Sequence, residues 1–124
     1  ELVRSQYGKA VLEGQHCDNI ESLIDHANDK LGFIFLERGY SYASAQKAFN
    51  LYLKYQWCLG RCIEPPHCPV DRIVLNMTCL REKANWTQIS TRKEYLYLIG
   101  AIRQEAEREN LSIAEWEMTH YRRR

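Results

Sequence analysis

Apolar residues recur at helical spacing along most of this chain. The clearest run extends from about Ala43 to Gly60, where one face is predicted to be apolar and the opposite face polar. The apolar stripe comprises Ala45, Ala48, Phe49, Tyr52, Tyr55 and Leu59, and the polar stripe comprises Ser44, Lys47, Asn50, Lys54 and Arg61. Because no convincing stretch of alternating apolar and polar residues remains, we predict an all-α protein, a compact bundle of about six helices with short connections.

Capping patterns predict where several of these helices begin. An Asp, Thr or Ser is followed three residues later by Glu at 18–21, 91–94 and 112–115, which is typical of helix N-termini. A short first helix carrying Leu2, Val3, Tyr7, Ala10 and Val11 is expected to end near Gly14. The apolar segment 33–36 is predicted to be buried helix, with a short strand as the alternative.

Length and charge limit the classes of function. The 124 residues, 45% hydrophobic and 27% charged, are sufficient for one folded domain spanning 1–124 and too apolar for disorder. The longest apolar runs, such as 31–36, are too short to cross a membrane, so no membrane partner is expected. A net charge of +1 means that any nucleic-acid surface must come from local clusters, of which the terminal Arg122–Arg124 is the sharpest.

Five cysteines are an odd number for a disulfide framework and favour reduced thiols in a cytoplasmic protein. No secretory signal is visible, although three Asn-x-Ser/Thr triplets leave secretion as an alternative. Cys58, Cys62, His67 and Cys68 fall within eleven positions, so a small zinc-stabilised domain is a second alternative. The spacing contains no Cys-x-x-Cys pair, and we therefore predict neither a metal nor a cofactor.

Three prolines within the five positions 65–69 prevent helix formation there. Asp71 follows at the position of a helix N-cap, before a helix expected to carry Ile73, Val74, Met77 and Leu80. An aspartate in this position accepts hydrogen bonds from the backbone of the helix, or it directs a free oxygen towards a substrate. The residues alone leave both roles open.

Three segments resemble the core of the helix-hairpin-helix DNA glycosylases. They are Arg38-Gly-Tyr-Ser-Tyr-Ala-Ser-Ala45, Gln46-Lys-Ala-Phe-Asn50 and Cys68-Pro-Val-Asp-Arg-Ile-Val-Leu75. In that family a glycine-rich hairpin leads into a helix, and a loop then ends in a Pro-Val-Asp or similar motif. The resemblance implies that Asp71 is a catalytic carboxylate, that the turn at Gly39 and Ser41 contacts a DNA phosphate, and that the partner is DNA.

The chain departs from the family pattern at two positions. Ser41 replaces the second glycine of the hairpin, and Ala43 stands where bifunctional members carry a Schiff-base lysine. Lys47, one helical turn further on, is the candidate to take over that catalytic role. The resemblance therefore implies a monofunctional glycosylase, or a relative that kept the scaffold and lost the chemistry.

The expected DNA contacts beyond the hairpin are basic side chains. Lys54 and Arg61 on the polar stripe, with Arg72 beside Asp71, are predicted to hold phosphates. Aromatic residues could line a pocket for a flipped base, namely Tyr52, Tyr55, Trp57 and Trp86, although residues at such spacing more often pack in a core. The alternative function is a non-enzymatic helical module that binds a nucleic acid or a protein.

Overall fold

The computed structural model describes residues 6–31 and 40–121. Within these two ranges all regular secondary structure is helical, which confirms the predicted class, but five α-helices are present rather than six. They are α1 (Glu13–Leu31), α2 (Tyr42–Cys58), α3 (Arg72–Leu75), α4 (Arg92–Arg108) and α5 (Ile113–His120), with a 3₁₀ turn at Trp86–Gln88. No helix in the described ranges is both long and apolar enough to cross a membrane.

The helix boundaries predicted near the N-terminus are wrong. Helix α1 runs through Gly14 without a break, and Asp18 lies inside it rather than at its start. The segment just before it, including Ala10 and Val11, is not helical. Asp18 instead accepts a hydrogen bond from Arg92 of α4, so a tertiary contact uses the carboxylate that the local pattern assigned to a cap.

Four predictions fall outside the described residues. They concern the N-terminal part of the first helix (1–5), the apolar segment 33–36, Gly39 of the predicted hairpin, and the terminal arginines 122–124.

Helix α2 presents a different face to the core from the one predicted. Ala45 and Phe49 are buried as expected, together with Tyr42, Ala43, Gln46, Asn50 and Leu53. Ala48, Tyr52, Tyr55 and Leu59, which were predicted to be buried, are exposed. Asn50, assigned to the polar stripe, is completely buried. The helix is therefore rotated towards the side that carries Gln46 and Asn50.

A set of hydrogen-bonded polar side chains explains that rotation. We call it the buried network; it consists of Tyr7, Glu13, His16, Asn50, His67 and Tyr95. It connects α1, α2 and α4 with the proline-rich loop. Within the described part of the chain, no buried side-chain nitrogen or oxygen lacks a hydrogen-bond partner, so these polar groups do not carry the penalty of unpaired burial.

The C-terminal helices agree with the sequence analysis. Thr91 and Ser112 cap α4 and α5, and Ser112 forms a full capping box with Glu115. Helix α4 buries one face in the core, with Tyr95, Leu98, Ile99, Ile102 and Ala106. Trp116 of α5 is also buried, which seals that end of the core.

The proline-rich loop is not helical, as predicted, and its residues Pro65, His67, Cys68, Pro69 and Val70 are buried. It leads directly into Asp71, the N-cap of α3. Helix α3 is a single turn, so the longer helix expected beyond Asp71 does not form, and Met77 and Leu80 lie in turns after it.

Candidate active-site pocket

Asp71 both caps a helix and faces a second charged group. Its Oδ1 accepts a hydrogen bond of 3.0 Å from the backbone N–H of Val74. Its Oδ2 lies 3.5 Å from the ammonium Nζ of Lys47 on α2. The side chain of Asp71 is largely buried, with 6% of the residue exposed. One oxygen is thus hydrogen-bonded to the backbone of α3, and the other points towards α2.

Gln46 sets the distance between these two charged residues. Its side-chain amide donates to the carbonyl of Val70 at 2.7 Å and accepts from the Val70 N–H at 3.1 Å. Gln46 directly precedes Lys47, and Val70 directly precedes Asp71. Because both hydrogen bonds are buried, the loop is held in register with α2 at the point where the lysine and the carboxylate meet.

Asp71 and Lys47 lie at a pocket of about 240 Å³. Helix α2, the proline-rich loop and α5 supply its walls, which are lined by Lys47, Leu51, Lys54, Tyr55, Pro69, Asp71, Glu117 and Tyr121. The pocket is therefore a cleft whose walls are half charged and half apolar or aromatic.

A second ion pair lines the same pocket. Lys54 Nζ lies 3.0 Å from Glu117 Oε2, and its ammonium also lies 4.9 Å from the ring centroid of Tyr121. Lys47 makes the corresponding contact with Trp86, at 5.0 Å from the centroid. Both lysines project from one side of α2, two turns apart, and each is held between a carboxylate and an aromatic ring.

Glu117 is the most deeply buried carboxylate of the pocket, with 2% of the residue exposed. Burial raises the pKa of Glu117 above its ordinary value, the ammonium of Lys54 opposes that shift, and the nearby charge of Asp71 adds to it. Asp71 and Glu117 therefore lie in the same pocket, each beside its own lysine.

Of the residues predicted as a site, the pocket brings together Asp71, Lys47 and Lys54. Arg61 and Arg72 are exposed and do not line it. Ser41 caps α2, since its side chain accepts from the Ser44 N–H at 3.1 Å.

Of the four aromatic residues predicted to line a pocket, some lie at this pocket and others do not. Tyr55 lines the pocket and Trp86 contacts Lys47. Tyr52 is exposed on α2 away from the pocket, and Trp57 borders a separate crevice beside His67.

The sequence analysis missed Glu117 and Tyr121. A local signal for Glu117 was present, because Ile113, Ala114, Trp116 and Glu117 recur at the spacing of one buried helix face. A charged residue on the apolar face of a helix requires a partner. That partner, Lys54, is 63 residues away in the chain.

The cysteine and histidine cluster is dispersed in the structure. Cys58 is exposed, Cys68 is buried behind the pocket, and the thiol of Cys62 lies 3.8 Å from the carbonyl of Leu53. Over residues 6–31 and 40–121, no three His, Cys, Asp or Glu side chains are arranged to hold a metal ion.

Comparison with protein-family models, with curated proteins and with solved structures gave no match to this chain. The functional argument therefore depends on the pocket and on the sequence motifs.

Proposed function

We propose that this protein is a glycosylase-like hydrolase that cleaves an N-glycosidic bond in DNA, with Asp71 as its catalytic carboxylate. The observation that carries the proposal is the position of Asp71 at the wall of a pocket, with one oxygen held by Val74 and the other beside Lys47. Breaking an N-glycosidic bond develops positive charge on the sugar. A fixed carboxylate stabilises that charge and orients the attacking water.

The other groups of the pocket support the same chemistry. A base in duplex DNA must leave the stack before an enzyme can act on it, and Tyr55 and Tyr121 offer aromatic surfaces to receive it. Lys47 keeps the Asp71 side chain in place as an ion partner. The exposed Arg72, next to Asp71, is positioned in the chain to meet a DNA phosphate. A helix-hairpin-helix-like scaffold is part of this proposal.

One observation favours a second candidate, a non-enzymatic binding module. The charges of the pocket cancel in two pairs, Lys47 with Asp71 and Lys54 with Glu117. Asp71 also has a structural role as the cap of α3. In this second function the ion pairs would only join α2 to the loop and to α5.

The test is binding to duplexes that carry two abasic-site analogues, a cationic pyrrolidine and a neutral tetrahydrofuran. The cation mimics the charge of the transition state, and such analogues bind tightly to the groups that stabilise it. We expect wild type to prefer the pyrrolidine duplex by about tenfold or more, equivalent to about 1.4 kcal/mol. Asp71→Asn should lose the preference, while Glu107→Gln, an exposed carboxylate outside the pocket, should retain it.

Base release from a panel of damaged and mismatched oligonucleotides is the second measurement. We expect Asp71→Asn to slow it by about 100-fold or more, the usual cost of removing one electrostatic contact to a transition state. Asn is as good an N-cap as Asp, so the fold should survive the change. If Asp71→Asn releases bases at the wild-type rate, the carboxylate is not catalytic. If wild type releases none and shows no preference for the cation, the glycosylase proposal fails.

A further inference from the structure

Glu117 is a buried titratable group that the proposed chemistry of Asp71 does not use. The capping box at Ser112 starts α5 in a register that places Glu117 on its buried face. There it lines the pocket, with Lys54 as its hydrogen-bond donor at 3.0 Å. Carboxylates are rarely buried unless they are paired or functional, and Glu117 is paired with Lys54 and also lines the pocket.

The two carboxylates of the pocket have unequal surroundings. Asp71 accepts a hydrogen bond of 3.0 Å from the backbone N–H of Val74 and lies 3.5 Å from the ammonium of Lys47. Glu117 is more deeply buried and receives a hydrogen bond from Lys54 only. In pairs of carboxylates, such a difference in environment separates the residue that stays ionised from the residue that carries a proton.

We propose that Glu117 is the proton donor of the pocket, acting on the leaving base; this inference rests on the proposed glycosylase function. The bond from the sugar C1′ to the base nitrogen breaks, and both electrons go to the base. The protonated carboxyl of Glu117 gives its proton to the departing base. Water forms the new C1′–O bond and loses a proton to Asp71, which returns it to solvent, and Glu117 regains a proton from solvent.

Lys54 sets the pH range in which this donor works. Its ammonium stabilises the charged form of Glu117, opposing the effect of burial on the pKa of Glu117.

The first experiment is the pH dependence of base release by wild type, Glu117→Gln and Lys54→Met. Wild-type activity should fall as the pH rises through the pKa of Glu117. Glu117→Gln should be slower by about 100-fold in the acidic range and should lose that pH dependence. Lys54→Met removes the ammonium that lowers the pKa of Glu117, so its activity should persist to higher pH. Glu107→Gln serves as the matched control.

The second experiment does not depend on base release. The carboxyl carbon of Glu117 is followed by NMR during a pH titration of wild type and of Asp71→Asn. Removing the negative charge of Asp71 should lower the pKa of Glu117, whereas Glu107→Gln should leave it unchanged. A Glu117 titration that is insensitive to Asp71→Asn would overturn the claim that the two carboxylates act together.

The outcomes distinguish failure of the proton-donor role from failure of the proposed glycosylase function. If wild type is active and Glu117→Gln keeps both its rate and its pH profile, only the proton-donor role is lost. If wild type releases no base from any duplex, the proposed function fails and the donor role with it. If Glu117→Gln does not fold, the pH dependence of base release by Lys54→Met is the deciding measurement. A pH dependence that is the same as that of wild type overturns the proton-donor role.

Discussion

At the scale of single residues, the two buried histidines are defined by what each ring nitrogen contacts. His16 Nε2 lies 2.7 Å from the side-chain oxygen of Asn50, and its Nδ1 lies 2.7 Å from the hydroxyl of Tyr7. An amide oxygen can only accept, so Nε2 carries the proton and Nδ1 accepts from the tyrosine. The hydrogen bonds therefore suit a neutral ring. Burial lowers the pKa of His16 to about 3.

The contacts of the His67 ring nitrogens are of the same kind. Its Nε2 lies 2.8 Å from a carboxylate oxygen of Glu13, and its Nδ1 lies 2.6 Å from the hydroxyl of Tyr95. Burial lowers the pKa of His67 to about 4 and outweighs the opposing effect of Glu13. Both imidazoles are thus neutral hydrogen-bonding groups at neutral pH.

Asn50 is the residue on which the buried network depends most. It accepts from His16 and donates to both Gln46 and Tyr95. Asn50→Leu keeps the branched shape of the side chain but leaves the His16 N–H without an acceptor. We expect the free energy of unfolding to fall by about 1–3 kcal/mol. Urea denaturation measures the loss, and the exposed Gln104→Leu should change stability by only about 0.5 kcal/mol or less.

At the scale of helices, the rotation of α2 shows that hydrophobic periodicity predicts the helix but does not predict which face of it is buried. The sequence of α2 contains apolar residues nearly all round, so several faces could have met the core. The face actually buried is the one whose Gln46 and Asn50 find partners on the loop and on α4. The opposite face leaves Tyr52, Tyr55 and Leu59 in solvent.

A pair of truncations on α2 tests this orientation. Phe49 is 8% exposed and Tyr52 is 52% exposed. We expect Phe49→Ala to lower the free energy of unfolding by about 3–5 kcal/mol, because it leaves a cavity in the core. Tyr52→Ala should cost only about 0.5 kcal/mol, as a surface substitution does. Equal losses in denaturation would mean that the core meets the face first inferred from the periodicity.

At the scale of the whole molecule, the buried network links stability to pH. It joins the proline-rich loop to α1 and α4 through His67, and α1 to α2 through His16. In the unfolded chain both histidines recover an ordinary pKa, near 6.5. The unfolded state therefore takes up protons that the folded state excludes as the pH falls below that value.

We expect stability to be full above about pH 6.5 and to decline as the pH falls towards 4. Between pH 6.5 and 5 the loss should approach about 2 kcal/mol for each of the two histidines. Glu13 acts in the same direction at lower pH: burial raises its pKa, but the hydrogen bonds from Arg103 and His67 outweigh this and lower it. Urea midpoints at several pH values measure the decline, and a stability that rises on acidification would contradict it.

NMR provides the accompanying check on the histidines. The ring signals of His16 and His67 should not titrate between pH 8 and 5 in the folded protein.

The sequence by itself determined the features that depend on neighbouring residues. The caps at Asp71, Thr91 and Ser112 form between groups three residues apart, so a short pattern contains both partners. The break at 65–69 follows from the proline ring itself. These local rules were enough to predict an all-α chain and to single out Asp71.

Only the tertiary structure decided what surrounds that residue. Glu117 meets Lys54 across 63 residues, and Gln46 meets Val70 across 24; no local pattern contains both members of such a pair. The rotation of α2 depends on the same distant partners, because buried polar groups must be satisfied wherever the fold brings a partner within reach. Local hydrogen bonding thus specified the helix starts, and long-range polar pairing specified the pocket.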